Sequence, residues 1–230
     1  MKSVAEKRES IQSGELILQS RIVDASNATL IGQIDGIKIV YKPVAGERPL
    51  WDFPDGNLAA REVAAYLISE EMAIHRVPYT ILRDGPFGLG MVQEWIEVDE
   101  ELDLIAFAQS DDQQLRELAL FDAIINNTDR KIGHLLVDRT GFLFGCDHGV
   151  TFHEENKLRT VLWQWRGVPF NGSEREKLGN LRDCNLHNMF SELITANEVA
   201  ALNFRITELL NTNVFPMPSG DWPAIPWPPV

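Results

Sequence analysis

The 230-residue chain has 34 Asp and Glu against 21 Lys and Arg, a formal net charge of −13, with 44% apolar and 24% charged residues. This composition belongs to a folded globular chain and excludes global disorder; the length fits one large domain, or two small lobes sharing a cleft. So acidic a surface argues against nucleic acid or an anionic membrane as bulk partner. The longest apolar runs fall short of the ~20 residues of a membrane helix, the first fourteen residues lack the apolar core of a signal peptide, and two cysteines (Cys146 and Cys184) fit a reducing cytoplasm.

Residues 15–43 contain three short alternating runs, LILQSRIV, ATLIGQI and IKIVYK, separated by Asp24–Asn27 and by Asp35-Gly36. The spacing predicts a three-stranded antiparallel meander, with Asp-Gly closing a tight turn. Residues 44–56 read as loop. Asn57 is placed to cap a helix over LAAREVAAYLISEEM, with Leu58, Val63, Tyr66 and Leu67 roughly on one face. VPYTILRDG and GLGMVQEWIEV predict a second hairpin, followed by an acidic connector near residue 97. Ser110 or Asp111 opens a strong helix through DDQQLRELALFDAIINN, which runs into TDRKIGH and a short hairpin of LLV, a turn at Asp138–Gly141, and FLFGCDHG. Helices are expected over 173–182, 186–195 and 197–211. Trp163 and Trp165 alternate as in a half-buried strand. Six of the twelve prolines fall in 216–229, which predicts an extended strap with its two Trp packed down, or a disordered end.

Charge is unevenly spread. Residues 97–117 hold eight acidic side chains and one basic, whereas 157–182 hold six basic and two acidic, so the second stretch is either a solvated face or a basic substrate edge.

Four features that follow one another along the chain are parts of the kind phosphoryl transfer uses. They are a polar turn at Ala25–Thr29, a lysine ending a strand (Lys42 in VYKP), the run Asp129-x-Lys131-x-x-His134 at the end of a helix, and Asp147 in CDHG, 18 residues beyond Asp129. Donors over the phosphates, a lysine on them, a carboxylate for the acceptor hydroxyl and metal ligands between the oxygens are the parts this chemistry uses. Taken singly, each residue has an ordinary reading: a turn, a solvated strand end, a turn cap, a hairpin aspartate.

Together, INNTDRKIGHLLV and GCDHGVTFH resemble the catalytic loop and metal motif of the kinase fold. The likeness is nearest to the phosphatidylinositol 3-/4-kinase-like superfamily and the HipA-type bacterial kinases, and within that superfamily to an uncharacterised bacterial family; its core spans roughly residues 15–155. The resemblance implies an α+β, bilobal protein-kinase-like fold forming a single domain over 1–230. A β-rich N-lobe would cover about 15–97, a mainly helical C-lobe about 98–212, and a Pro-rich tail 213–230. It further implies that Lys42 holds the nucleotide phosphates with Glu62 paired to it, and that Ser26, Asn27 and Thr29 cover the phosphates. Main-chain groups of Gln93, Glu94, Trp95 and Ile96 would meet the adenine as a hinge. Asp129 would be the catalytic base and Lys131 would neutralise the transferred group, while His134 and Asp147 would bind Mg²⁺ or Mn²⁺. Two positions depart from the pattern: His134 stands where most kinases have Asn, and the phosphate turn lacks Gly-x-Gly. The expected activity is ATP-dependent phosphate transfer to a protein or small-molecule hydroxyl, in the cytoplasm and without stable membrane association. A nucleotide-binding pseudokinase, or an enzyme of the same fold transferring AMP, are the alternatives.

Overall fold

The computed structural model describes residues 2–22 and 27–229. An N-terminal helix α1 (Val4–Ser13), which the sequence did not announce, is opened by Ser3 and Glu6 in a reciprocal capping box. Strands β1 (Ile17–Arg21), β2 (Leu30–Ile34) and β3 (Ile37–Pro43) follow as an antiparallel meander. Asp35 and Gly36 join β2 to β3 with φ of 49° and 78°, the paired positive angles that a two-residue hairpin with a right-handed strand twist requires.

Helix α2 (Leu58–Glu71) has Asn57 as its cap, the carboxamide oxygen accepting from Ala60 N at 2.7 Å. Instead of showing one apolar face, α2 is buried all round from Ala59 to Tyr66, Arg61 and Glu62 included. Strands β4 (Thr80–Gly85) and β5 (Gly88–Glu94) complete a five-stranded antiparallel sheet in the order β1-β2-β3-β5-β4. Alternation sets its two faces: Ile39 and Tyr41 of β3 pack with Ile11, Ile34 and Val92, which leaves Lys42 on the opposite face.

The acidic connector contains a short helix α3 (Leu104–Ala108) capped by Asp103. Helix α4 (Gln113–Ile125) is capped by Asp112, one residue beyond the expected start, and ends in a left-handed Asn126 with φ 53°. Its Leu115, Leu118, Phe121, Ile124 and Ile125 anchor the larger core. A short hairpin of β6 (Leu135–Val137) and β7 (Leu143–Gly145) follows, then α5 (Gly172–Asp183), α6 (Leu186–Phe190) and α7 (Ala196–Thr212).

Two expectations are corrected between residues 151 and 229. Trp163 and Trp165 are not in a strand: their indole N–H groups donate to Ala224 O and Asp111 Oδ1, at 2.8 Å each, so hydrogen bonding and not a ladder orients them. The Pro-rich tail is an irregular strap in which Ala224 O also accepts from Thr160 N and Pro229 O accepts from Ile132 N. Only one of its two Trp is packed down, Trp222 beside Lys157; Trp227 is 89% exposed. No helix among the described residues is long and apolar enough to cross a membrane.

Candidate active site

Strand β3 ends at the mouth of a cavity of about 580 Å³ between the sheet and the helical part of the chain. Lys42 Nζ donates to Glu62 Oε1 of α2 at 2.6 Å and to Asp147 Oδ1 at 2.7 Å. The other Glu62 oxygen accepts from the backbone N–H of His148 at 2.9 Å, so one buried carboxylate ties β3, α2 and the segment after β7 together. Burial works to lower the lysine's affinity for its proton, but Asp147 and Glu62 outweigh it and hold the ammonium above the ordinary lysine range. The charge of Lys42 in turn holds Asp147 well below the usual carboxylate range.

Asp147 adopts the left-handed conformation, φ 59°, a strained setting for a side chain that Asp tolerates better than most residues. Its carboxylate is half exposed. Oδ2 lies 3.6 Å from His134 Nε2, beyond hydrogen-bond reach. Burial lowers the proton affinity of His134, and its Nδ1 accepts from Lys131 N at 3.4 Å. In the neutral imidazole that contact puts the ring proton on Nε2, facing Asp147.

The Asp129 segment is fixed from behind. Asp129 N donates to the Asn127 side-chain oxygen, Asn127 Nδ2 donates to Asp122, and the Thr128 amide and hydroxyl both donate to Val150 O. Arg130, fully buried, clamps Asp122 of α4 through Nε and Nη2, donates to Cys146 O at 3.0 Å, and donates through Nη2 to His148 Nε2 at 2.7 Å. The segments carrying Asp129 and Asp147 are thus held by one guanidinium and one threonine. Gly145 belongs to this clamp, since a Cβ there would lie 3.2 Å from the Arg130 nitrogens. Asp129 faces the cavity with Lys131 Nζ 3.1 Å from its carboxylate.

Other residues with expected roles are arranged differently. Ser26 lies outside the described residues. Asn27 lines the cavity, but its side-chain oxygen accepts from Arg48 N; Thr29 is buried, absent from the cavity lining, and turned onto Asn27 O. None of Gln93, Glu94, Trp95 and Ile96 lines the cavity that holds Lys42 and Asp147. The buried Gln93 side chain donates to Thr80 Oγ1, and Glu94, Trp95 and Ile96 line a second cavity of about 430 Å³ with Lys7, Arg8 and Tyr79. Glu94 N and Trp95 N are already bonded to Tyr79 O and Lys38 O.

The sequence announced no role for Asp122, Arg130 or Glu47, and it marked Trp222 as a packed tail residue but not as part of the cavity lining. Asp122 carried a signal, being a carboxylate in register with the apolar positions Leu115, Leu118 and Ile125 of α4. Glu47 caps α2 from a distant loop, accepting from Leu58 N and Ala59 N, and no local pattern announces it.

A divalent metal fits this site in part. Asp147 Oδ2 is free of Lys42 and half exposed, as a ligand to a nucleotide-borne ion must be. His134 would coordinate only after its proton moved to Nδ1 and the Lys131 amide turned away. Among the described residues no group of three or more His, Cys, Asp or Glu side chains could hold a metal, so further ligands would come from phosphate oxygens and water.

Sheet order, helix placement and the Lys–Glu–Asp junction together define a kinase-like fold. In line with this, the chain superposes on the Golgi casein kinase with Mn/ADP bound (TM-score 0.61, 12% identity, 90% of this chain and 74% of that one) and on hydra Fam20 with sugar (0.61, 12%, 92% and 89%). It also superposes on the Helicobacter pylori proinflammatory kinase CtkA (0.55, 12%, 89% and 94%). No family model matches the sequence. The chain belongs to the family of protein Rv2133c of Mycobacterium tuberculosis, with which it shares 40% identity over 260 aligned positions covering 95% of this chain and 93% of the relative.

Proposed function

We propose that this protein is a metal- and ATP-dependent phosphotransferase with a two-lobed kinase-like architecture over residues 1–230, the sheet and α2 forming the first lobe. The observation that carries the reading is the single ammonium of Lys42 bonded to both Glu62 and Asp147, with Asp129 lining the same cavity. Lys42 would hold the nucleotide phosphates, with Glu62 fixing the angle of its approach. Asp147 would hold the metal, with His134 beside it. The metal, when bound, supplies positive charge to the phosphate oxygens.

Asp129 would accept the acceptor's hydroxyl proton and orient its oxygen, and Lys131 would stabilise negative charge gathering on the transferred group. Asn27 would border the phosphates through its main chain, since its side-chain oxygen is taken. Of the four proposed hinge residues, Ile96 has a backbone N–H with no hydrogen bond among the described residues, and it would meet the adenine edge only where the nucleotide reaches past the cavity that holds Lys42. The likeness to a kinase holding Mn/ADP supports both cofactors. The likenesses at 11–12% identity support the fold, and they leave the phosphatidylinositol 3-/4-kinase-like resemblance to the sequence motifs.

Product analysis tests the reading. Purified protein incubated with ATP and Mn²⁺ should release ADP, and Asp129→Asn should bind ATP normally and release none. AMP or pyrophosphate would indicate adenylyl transfer instead. ATP binding without turnover under all metals and acceptors tried would indicate a regulator.

A further inference from the structure

Beyond the residues given nucleotide and transfer roles, the cavity is lined by three cations, Arg48, Lys157 and Arg159, and by two indoles, Trp51 and Trp222. Arg159 is built into the Asp129 segment. Its amide donates to Asn127 O at 2.9 Å, its carbonyl accepts from Arg130 N at 3.1 Å, and its Nε donates to Thr128 O at 2.9 Å. Thr128 immediately precedes Asp129, so the guanidinium is held next to the proposed base. Its two terminal nitrogens have no hydrogen-bond or ion-pair partner among the described residues, and neither does the Arg48 side chain.

Lys157 is buried and fixed through its backbone N–H to the Asn126 side chain; its ammonium is 4.6 Å from the Trp222 ring and 5.4 Å from the Trp51 ring. The ammonium also lies 3.1 Å from His153 Nε2 and meets an exposed Glu155 carboxylate at 3.4 Å. Of the acidic side chains lining the cavity, Glu47 is bonded to the α2 amides, Glu62 and Asp147 to Lys42, and Asp129 to Lys131. Asp52 alone has no such partner among the described residues. A chain of net charge −13 thus brings three further cations to the lining of one cavity and leaves two without a carboxylate, which is an arrangement for receiving an anion.

The strap argues against a polypeptide at this wall. Its Ala224 and Pro229 carbonyls accept from Thr160 N and Ile132 N, taking backbone donors just beyond Arg159 and Asp129 along the chain, while Trp222 borders the cavity itself.

We infer, on the basis of the phosphotransferase reading, that the acceptor is a small hydroxyl compound bearing a phosphate or carboxylate group. That anionic group would be bound by Arg159 with Arg48 and Lys157, under Trp51 and Trp222. In the transfer, the acceptor oxygen bonds to the γ-phosphorus of ATP as the bond to the β-phosphate oxygen breaks. ADP leaves with the electron pair and the hydroxyl proton passes to Asp129.

Calorimetric titration of the full chain with glycerol 3-phosphate, D-glycerate and neutral glycerol, and separately with Mn·ADP, tests this. At least one anion should bind and glycerol should not. Arg159→Ala should weaken the anion about tenfold or more, and Arg48→Ala, in an exposed loop that tolerates truncation, several-fold, with Mn·ADP affinity within about twofold of wild type in both. Anion binding that survives both changes but is lost in Lys42→Ala would belong to the nucleotide site and overturn the inference. So would the absence of anion binding in protein that binds Mn·ADP. Anion binding through Arg159 in protein that binds no Mn·ADP would instead overturn the phosphotransferase reading, and the acceptor role with it.

Discussion

Lys42 and Glu62 form an ion pair at 2.6 Å in which the carboxylate is almost wholly buried and the ammonium is one-fifth exposed. This asymmetry makes Lys42 a structural residue as well as a proposed phosphate ligand, because Glu62 keeps only the His148 backbone N–H when the lysine is removed. Lys42→Ala should therefore lower stability by about 3 kcal/mol, and adding Glu62→Gln should recover part of that loss. Denaturant unfolding of the single and double variants checks it; strictly additive losses would show that the pair is not coupled in the native state.

The Arg130–Asp122 clamp should be among the most sensitive points in the helical core, both side chains being fully buried. Asp122→Ala leaves a guanidinium without its counter-charge and should cost about 3–5 kcal/mol. At this chain length that corresponds to a melting temperature lower by roughly 6–20 °C. Asp122→Asn, which still accepts from Arg130 Nε, should cost less. A calorimetric scan distinguishes the two; equal shifts would mean that charge does not matter at this position.

Much of the fold was legible in the sequence because its signals were local. Asp35-Gly36 dictates a hairpin, Asn57 a helix start, and the alternation of Ile39 and Tyr41 the face on which Lys42 emerges. What escaped depended on distant partners. Glu62 was expected to pair with Lys42 only through the resemblance, and nothing local announced that α2 is enclosed, with Arg61 bonded to Glu198 of α7. The N-terminal helix has little apolar character of its own, burying Ile11 alone, and is held by Lys7–Glu94 and Arg8–Glu70. At the candidate site, Lys42, Asp129 and Asp147 were legible through their order and spacing. Arg159 was legible only as part of a basic stretch, and Arg166, in the same stretch, turns away to donate to Trp163 O.

Acid should destabilise the fold through His148. This side chain has no solvent exposure, and burial followed by the Arg130 charge pushes its proton affinity well below the ordinary histidine value. Because the unfolded chain binds that proton near pH 6.5 and the native one does not, stability is lost as pH falls below about 6.5, by up to ~1.4 kcal/mol per pH unit. Unfolding free energies at pH 7.5 and 5.5 should show this drop in wild type and a smaller one in His148→Gln, even if the variant is less stable throughout. An equal drop in both proteins would remove His148 as the cause.

His134→Asn should shift metal preference. The change replaces an imidazole nitrogen with a harder amide oxygen donor near Asp147, so nucleotide binding with Mg²⁺ should improve relative to Mn²⁺. Titrations with each metal give the ratio; an unchanged ratio would leave His134 a partner of the Lys131 backbone and not of the ion.

The most direct measurement of the central claim is the affinity of ATP for wild type, Lys42→Ala and Asp147→Asn, each with and without Mn²⁺. The account predicts that wild type binds more tightly with the metal, that Asp147→Asn loses about tenfold or more of the metal-dependent gain, and that Lys42→Ala weakens binding in both conditions. Metal-independent ATP binding that is unchanged in both variants would contradict it.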